Sequence, residues 1–202
     1  MGTLYYKPTG TSAGRWPGLS AMEEAMASET TTQWLASLIR DVPDFPQPGI
    51  VFKDITPILR DPRGLREAID AMAEPFCDKG VDVVVGLESR GFILGAPIAY
   101  SMGLGFALVR KSGKLPADKI LITYELEYGS NVFEIHRDAI APGQRVLIVD
   151  DLLATGGTMR ASIDLVEQLG GVVVGLSFLV ELDFLKGRDK LQGYDIHTVM
   201  RL

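Results

Sequence analysis

Apolar and polar positions alternate along this chain in two registers. Short β-branched runs bounded by turn residues recur between longer stretches of helical periodicity. Residues 81–87 (VDVVVGL), 106–111 (FALVRK), 146–149 (VLIV) and 171–180 (GVVVGLSFLV) are such runs, and a weaker one at 196–200 closes the chain. A parallel strand covered on both faces stays apolar without alternation, so these runs predict buried parallel strands. Helical patterns fill the gaps. The first spans about 28–39, with Trp34, Leu35, Leu38 and Ile39 on one side. The next opens at Asp61-Pro62, a capping residue followed by proline at the first helical position, and runs to about residue 77. Two more cover 92–102 and 159–169. Strands alternating with helices predict an α/β fold, a doubly wound and mostly parallel sheet flanked by helices.

Two stretches depart from that rhythm. Residues 41–56 read DVPDFPQPGIVFKDIT, where Pro43, Pro46 and Pro48 forbid a helix and leave 50–52 as a short strand or extended loop. Residues 112–118 form a Gly/Lys/Pro loop, and 120–137 alternate weakly with a break at Gly129-Ser130, the pattern of an antiparallel ribbon. The first 19 residues are rich in Gly, Thr, Ser and Pro without periodicity. Residues 1–27 are therefore set apart as a flexible extension from one domain at 28–202.

Composition narrows the function classes. A chain of 202 residues, 47% hydrophobic, can bury a full core as one domain. A net charge of −6 argues against a nucleic-acid partner, for which a basic face is expected. The longest apolar runs fall short of the roughly 20 residues a membrane span needs, and the N-terminus lacks the basic and apolar regions of a signal peptide. A lone cysteine, Cys77, makes no internal disulfide and reads as a buried thiol on a helix. A cytoplasmic protein is expected.

The candidate chemistry lies in 145–158, RVLIVDDLLATGGT. An apolar strand ends in the carboxylates Asp150 and Asp151, then a turn, Ala154-Thr155-Gly156-Gly157-Thr158, leads into a helix. Such a turn offers backbone N–H groups at the positive end of a helix dipole, where a phosphate can sit. Glycine admits close approach and the threonines add hydroxyl donors. Carboxylates beside a phosphate cradle need hydroxyl donors between them, and a ribose diol supplies two. A phosphate at one end and a diol at the other describes a ribose 5-phosphate. Glu88-Ser89-Arg90-Gly91 also follows a strand, so both segments can share one crevice at the carboxyl ends of the sheet.

The string VLIVDDLLATGGT resembles the phosphoribosyl-pyrophosphate (PRPP) signature of the type I phosphoribosyltransferases. The resemblance implies that fold, with a small N-terminal hood at about 41–56 and a flexible catalytic loop at about 111–137. It puts the PRPP phosphate and ribose on Asp150, Asp151, Ala154, Thr155, Gly156, Gly157 and Thr158. Pyrophosphate falls to Ser89, Arg90, Lys111 and Lys114, with Mg²⁺ held mainly by substrate oxygens and water and no dedicated protein metal site. No residue has the setting of a covalent nucleophile, so direct displacement at C1 is expected.

Further stretches resemble the adenine phosphoribosyltransferases, from about Trp34 to Arg188: the 41–56 hood, ESRGF at 88–92, RKSGKLP at 110–116, LEYG at 126–129 and VEL at 180–182. By that resemblance Phe52 stacks on adenine, the backbones of Val51 and Lys53 read its edge, Glu127 acts as acid/base, and Tyr128 packs over the site. Glu127 and Arg90 are then the catalytic pair. Ala154 stands where 6-oxopurine relatives carry aspartate. The implied reaction is adenine plus PRPP to AMP plus pyrophosphate, in a homodimer paired through the Arg90 and Lys111 face. A relative acting on another purine, and a PRPP-sensing regulator without catalysis, remain open at this stage.

Overall fold

The computed structural model describes residues 21–126 and 129–202. In chain order the elements are α1 (Ala21–Leu38), β1 (Arg40–Pro43), β2 (Val51–Asp54), α2 (Thr56–Arg60), α3 (Pro62–Ala73), β3 (Val83–Leu87), α4 (Arg90–Met102), β4 (Gly105–Lys111), β5 (Lys119–Leu126), β6 (Gly129–His136), β7 (Arg145–Leu153), α5 (Gly157–Gln168), β8 (Val172–Glu181) and β9 (Ile196–Arg201). Seven strands make the central sheet in the order β5-β6-β4-β3-β7-β8-β9, while β1 and β2 form a separate hairpin. From β4 across to β9 the pairs are parallel. β6 joins β4 antiparallel and carries β5 as an antiparallel ribbon. The sheet is thus mostly parallel and doubly wound, as expected.

Strand pleating sends alternate side chains to two separate cores. Val83, Val85 and Leu87 of β3, with Val146 and Ile148 of β7, pack toward α5 and the ribbon. Val84, Leu147 and Val149 point the other way, against α3, α4 and Leu35 of α1. Residues fully buried on both faces explain why these strands read as unbroken apolar runs. At the start of α3, the Asp61 carboxylate accepts the N–H groups of Arg63 and Gly64 at 2.9 and 2.7 Å, with Pro62 in the first turn. That cap satisfies two of the helix's orphan donors.

Several expectations need correction. The α1 helix starts at Ala21, inside the stretch set apart as an extension; residues 1–20 lie outside the described structure. Helix α3 ends at Ala73, because Pro75 shifts the chain into a single 3₁₀ turn, Glu74–Phe76. Cys77 is consequently exposed rather than buried. Partial desolvation, then the acids Asp78, Glu74 and Asp70, pushes its thiol up. The ribbon pairs through Gly129 and Ser130, opposite Leu126 and Glu125, so the strands do not break there. β7 extends through both aspartates to Leu153, with Asp150 paired to Phe178 and Leu152 to Val180. The acids are therefore held in the sheet and do not follow it.

Candidate active site

Chain order reverses between β3 and β7. From β3 the chain winds outward to β4 and the ribbon, then returns to β3's other side as β7. Such a switch opens a crevice beyond the carboxyl ends of the two strands. A cavity of about 480 Å³ occupies it, with Ser89 and Arg90 from the end of β3, Lys111 from the end of β4, and Asp150 to Gly156 from β7 and its turn on its walls. Thr158 closes one end. Gly157 opens α5 directly behind. Ten residues apart from one another by up to 69 positions in sequence are brought together by that one reversal: Ser89, Arg90, Lys111, Asp150, Asp151, Ala154, Thr155, Gly156, Gly157 and Thr158.

Arg90 begins α4 and donates from Nε to Asp151 Oδ2 at 2.5 Å. The peptide bond between Glu88 and Ser89 is cis. Gly91 brings α4 close: a methyl group there would lie 2.8 Å from the Val149 carbonyl oxygen and 2.9 Å from Asp150 Oδ1. Asp150 Oδ1 accepts the Asp151 N–H at 2.9 Å. Burial first, then the charge of Asp151, pushes the Asp150 carboxyl well above the usual carboxylate range. Asp150 therefore keeps its proton to higher pH than a solvated acid. The pair supplies acceptors and, at Asp150, a potential donor, as a sugar diol requires.

The turn after β7 is shaped for an anion. Gly156 takes φ +76° at the N-cap of α5, and no side chain caps that end. The first-turn N–H groups of a twelve-residue helix, together with its dipole, are thus left without a side-chain cap beside a cavity lined by Gly156 and Thr158. The Tyr124 hydroxyl of β5 lies 3.5 Å from Thr158 Oγ1, and Asn131 of β6 donates to Tyr124 at 3.3 Å. Tyr124 stacks on Phe133 with ring centroids 5.0 Å apart. The ribbon thus reaches the Thr158 end of the crevice, which the sequence reading missed. Tyr124 and Asn131 are register partners, so pairing the ribbon strands on paper would have set them side by side.

The Lys/Gly loop after β4 is tethered by two carboxylates. Glu88 Oε2 accepts from Arg110 Nε at 3.0 Å and from the Lys111 N–H at 3.1 Å. Burial raises the Glu88 pKa, but these hydrogen bonds outweigh it and the net direction is downward. Glu134, fully buried on β6, accepts the N–H groups of Gly113, Lys114 and Leu115 at 3.0, 2.7 and 2.6 Å, with Lys119 Nζ at 3.2 Å. Burial opposes its charge, but the loop N–H groups and Lys119 prevail and hold Glu134 down at about 2. Lys111 lines the cavity and Lys114 does not. In this conformation the loop backbone is tied to Glu134 through the Gly113, Lys114 and Leu115 N–H groups.

The hood stands at the edge of the crevice. Val51, Phe52 and Lys53 form β2, opposite Pro43, Val42 and Asp41 of β1. None lines the cavity, yet the Arg90 guanidinium lies 5.3 Å from the Phe52 ring centroid. Phe45 packs edge-on to Phe52 at 5.2 Å, Val51 is half exposed, and Lys53 Nζ pairs with Asp41 at 2.8 Å. Asp54 anchors the hairpin by accepting from Arg40 Nε at 3.0 Å and from the Thr56 N–H at 2.9 Å. Glu127 and Tyr128 lie outside the described residues. Among the described residues, no group of three or more metal-ligating side chains converges.

A switch-point crevice, an acid pair in the strand and an open helix N-terminus define a PRPP-binding phosphoribosyltransferase of the type I fold. The phosphoribosyl transferase domain model matches residues 54–198. The adenine phosphoribosyltransferase of Thermobifida fusca (strain YX) is 58% identical over 161 residues, 80% of this chain and 92% of that protein. The one from Halothermothrix orenii is 54% identical over 167 residues, 83% and 98% of the two chains. Among solved structures, adenine phosphoribosyltransferase from Rhodothermus marinus DSM 4252 superposes with a TM-score of 0.83 at 54% identity, covering 86% of this chain and 99% of that one. The Saccharomyces cerevisiae enzyme, complexed with an imino-altritol bisphosphate and adenine, gives 0.80 at 44% identity over 85% and 99%. The chain belongs to the adenine phosphoribosyltransferase family, whose reaction joins adenine to the phosphoribosyl group of PRPP, releasing AMP and pyrophosphate in purine salvage.

Proposed function

We propose a division of labour within that reaction, and the observation carrying it is the convergence of Arg90, the acid pair and the open α5 N-terminus on one cavity of about 480 Å³. The 5-phosphate of PRPP sits on Ala154, Thr155, Gly156, Gly157 and Thr158, where backbone N–H groups and hydroxyls replace its water. Asp150 and Asp151 take the ribose diol. Arg90 and Asp151 satisfy each other directly at 2.5 Å, and PRPP offers each a better-matched partner, pyrophosphate for the guanidinium and two hydroxyls for the carboxylate. Ser89 and Lys111 add donors for the pyrophosphate, with Lys114 beside them on the tethered loop.

Phe52 provides a stacking face for adenine, and the backbones of Val51 and Lys53 read its polar edge. Glu127 exchanges the proton on the imidazole side of the base, with Tyr128 packed over the site. The base nitrogen attacks C1 as the bond to pyrophosphate breaks, and the protein supplies alignment, charge complementarity and exclusion of water. Mg²⁺ arriving with PRPP would be held mainly by substrate oxygens and water, and when bound would neutralise charge on the departing pyrophosphate. No helix among the described residues is long and apolar enough to cross a membrane. As a separate part of this proposal, the enzyme works in the cytoplasm as a homodimer.

The test is Asp151→Asn. Losing a charged acceptor for a diol costs about 1.5–3 kcal/mol, so PRPP affinity falls roughly ten- to a hundredfold while adenine affinity holds. Unchanged PRPP affinity would remove the diol from Asp151.

A further inference from the structure

The phosphate turn does not stand alone. Downstream of it the chain leaves β8, takes a 3₁₀ turn at Asp183–Leu185, passes Lys186 at φ +50° and enters a second 3₁₀ turn, Gly187–Lys190. Gly187 is buried there against the phosphate turn. A methyl group on Gly187 would collide with the Ala154 carbonyl oxygen and lie 2.9 Å from Leu153 Cδ1, and one on Gly156 would collide with the Gly187 carbonyl oxygen. The two backbones are thus in direct contact, glycine against glycine, under the residues assigned to the 5-phosphate.

What holds the Gly187 turn in place is the next residue. Arg188 donates from Nε to Glu181 Oε1 at 2.7 Å and from Nη2 to Glu181 Oε2 at 2.8 Å, a two-pronged pair. The Thr198 hydroxyl donates to Glu181 Oε2 at 3.0 Å, and Arg201 approaches the same oxygen at 3.5 Å. Glu181 is buried at the end of β8, and the adjacent Leu182 N–H donates to the Leu153 carbonyl at 2.9 Å. Every link in this chain of contacts leads from the sheet to the floor of the turn.

We infer that Gly187, fixed by the Glu181–Arg188 pair, is a positioning element for 5-phosphate recognition, the floor that sets where the Ala154–Thr158 N–H groups point. It rests on the phosphate assignment made above. A floor that moves the turn must weaken every ligand carrying the 5-phosphate and spare those that do not.

The experiment measures binding of ribose 5-phosphate, AMP, free pyrophosphate and adenine, each with Mg²⁺, to the full-length protein and to the variants Gly187→Ala, Arg188→Lys and Thr155→Val. Ribose 5-phosphate and AMP are expected to weaken about tenfold in Gly187→Ala, a loss of the size expected for one misaligned charged hydrogen bond. Pyrophosphate and adenine should stay within about twofold of wild type, a margin below the ~0.5 kcal/mol scale of distant surface changes. Arg188→Lys keeps the charge, loses the fork, and should show a weaker version of the same pattern; it decides the matter if Gly187→Ala fails to fold. Equal weakening of all four ligands would overturn the inference in favour of a general stabilising role. Unchanged ribose 5-phosphate affinity in both floor variants, with weakening in Thr155→Val, overturns the floor and keeps the phosphate assignment. Indifference to all three variants overturns that assignment and the inference with it.

Discussion

Replacing Glu134 by glutamine isolates the tether under the Lys/Gly loop. The side chain is fully buried and accepts three successive backbone N–H groups plus Lys119. Glutamine keeps its shape but turns one acceptor into an NH₂ group facing those donors. Glu134 is held at about 2 against an ordinary 4.5, and at ~1.4 kcal/mol per pH unit that difference is worth about 3 kcal/mol of stability. The folded-state value is depressed, so this contribution is complete above pH 4.5 and is lost as pH falls toward 2. By pH 3 about 2 kcal/mol of it has gone. Urea unfolding of both proteins by circular dichroism, at pH 7, 5, 4 and 3, gives the difference directly. The wild type should lead by about 3 kcal/mol at pH 7 and by only about 1 at pH 3, because other acids cancel between the two proteins. A gap that stays constant from pH 7 to pH 3 would refute the buried, ionised tether. The same variant should raise the Michaelis constant for PRPP more than that for adenine, since the tethered segment Gly113–Leu115 adjoins Lys111, which lines the cavity.

Three other perturbations separate the remaining roles. Glu127→Leu should lower turnover by about a hundredfold or more, as loss of a general acid/base does, with little change in adenine binding; equal losses in both would show that it moves no proton. Phe52→Ala should raise the Michaelis constant for adenine between about twofold and tenfold, the worth of one aromatic stack, and a steady constant would place the ring outside the base pocket. The Asp151→Asn titration described above completes the set, with PRPP affinity as its readout.

The parallel strands and their helices were legible because both faces of β3 and β7 are covered, leaving apolar runs that no solvated strand would carry. The turn into α5 was legible because Thr155-Gly156-Gly157-Thr158 follows such a run and opens a helix. What escaped were the carboxylates of Glu88, Glu134 and Glu181. In sequence each is one charge in or beside a strand, indistinguishable from a solvated one. Their partners lie 22, 19–21 and 7 positions away, and only the folded chain delivers them. Asp150 and Asp151 were recognised, but polar residues break an apolar run, so β7 was ended four residues early. The α2 helix and β1 were too short for periodicity to mark. Cys77 misled because Pro75 tightens the last turn and rotates the thiol out to solvent.

The most direct test of the whole account is product formation. Purified protein would be incubated with Mg²⁺ and PRPP and, separately, adenine, hypoxanthine, guanine and orotate, with nucleotide and pyrophosphate measured in each. AMP and pyrophosphate in equal amounts from adenine alone is the predicted result. Nucleotide from a 6-oxopurine would keep the PRPP cradle but contradict the roles given to the hood and Ala154. No nucleotide from any base, with PRPP still bound, would contradict the catalytic account itself.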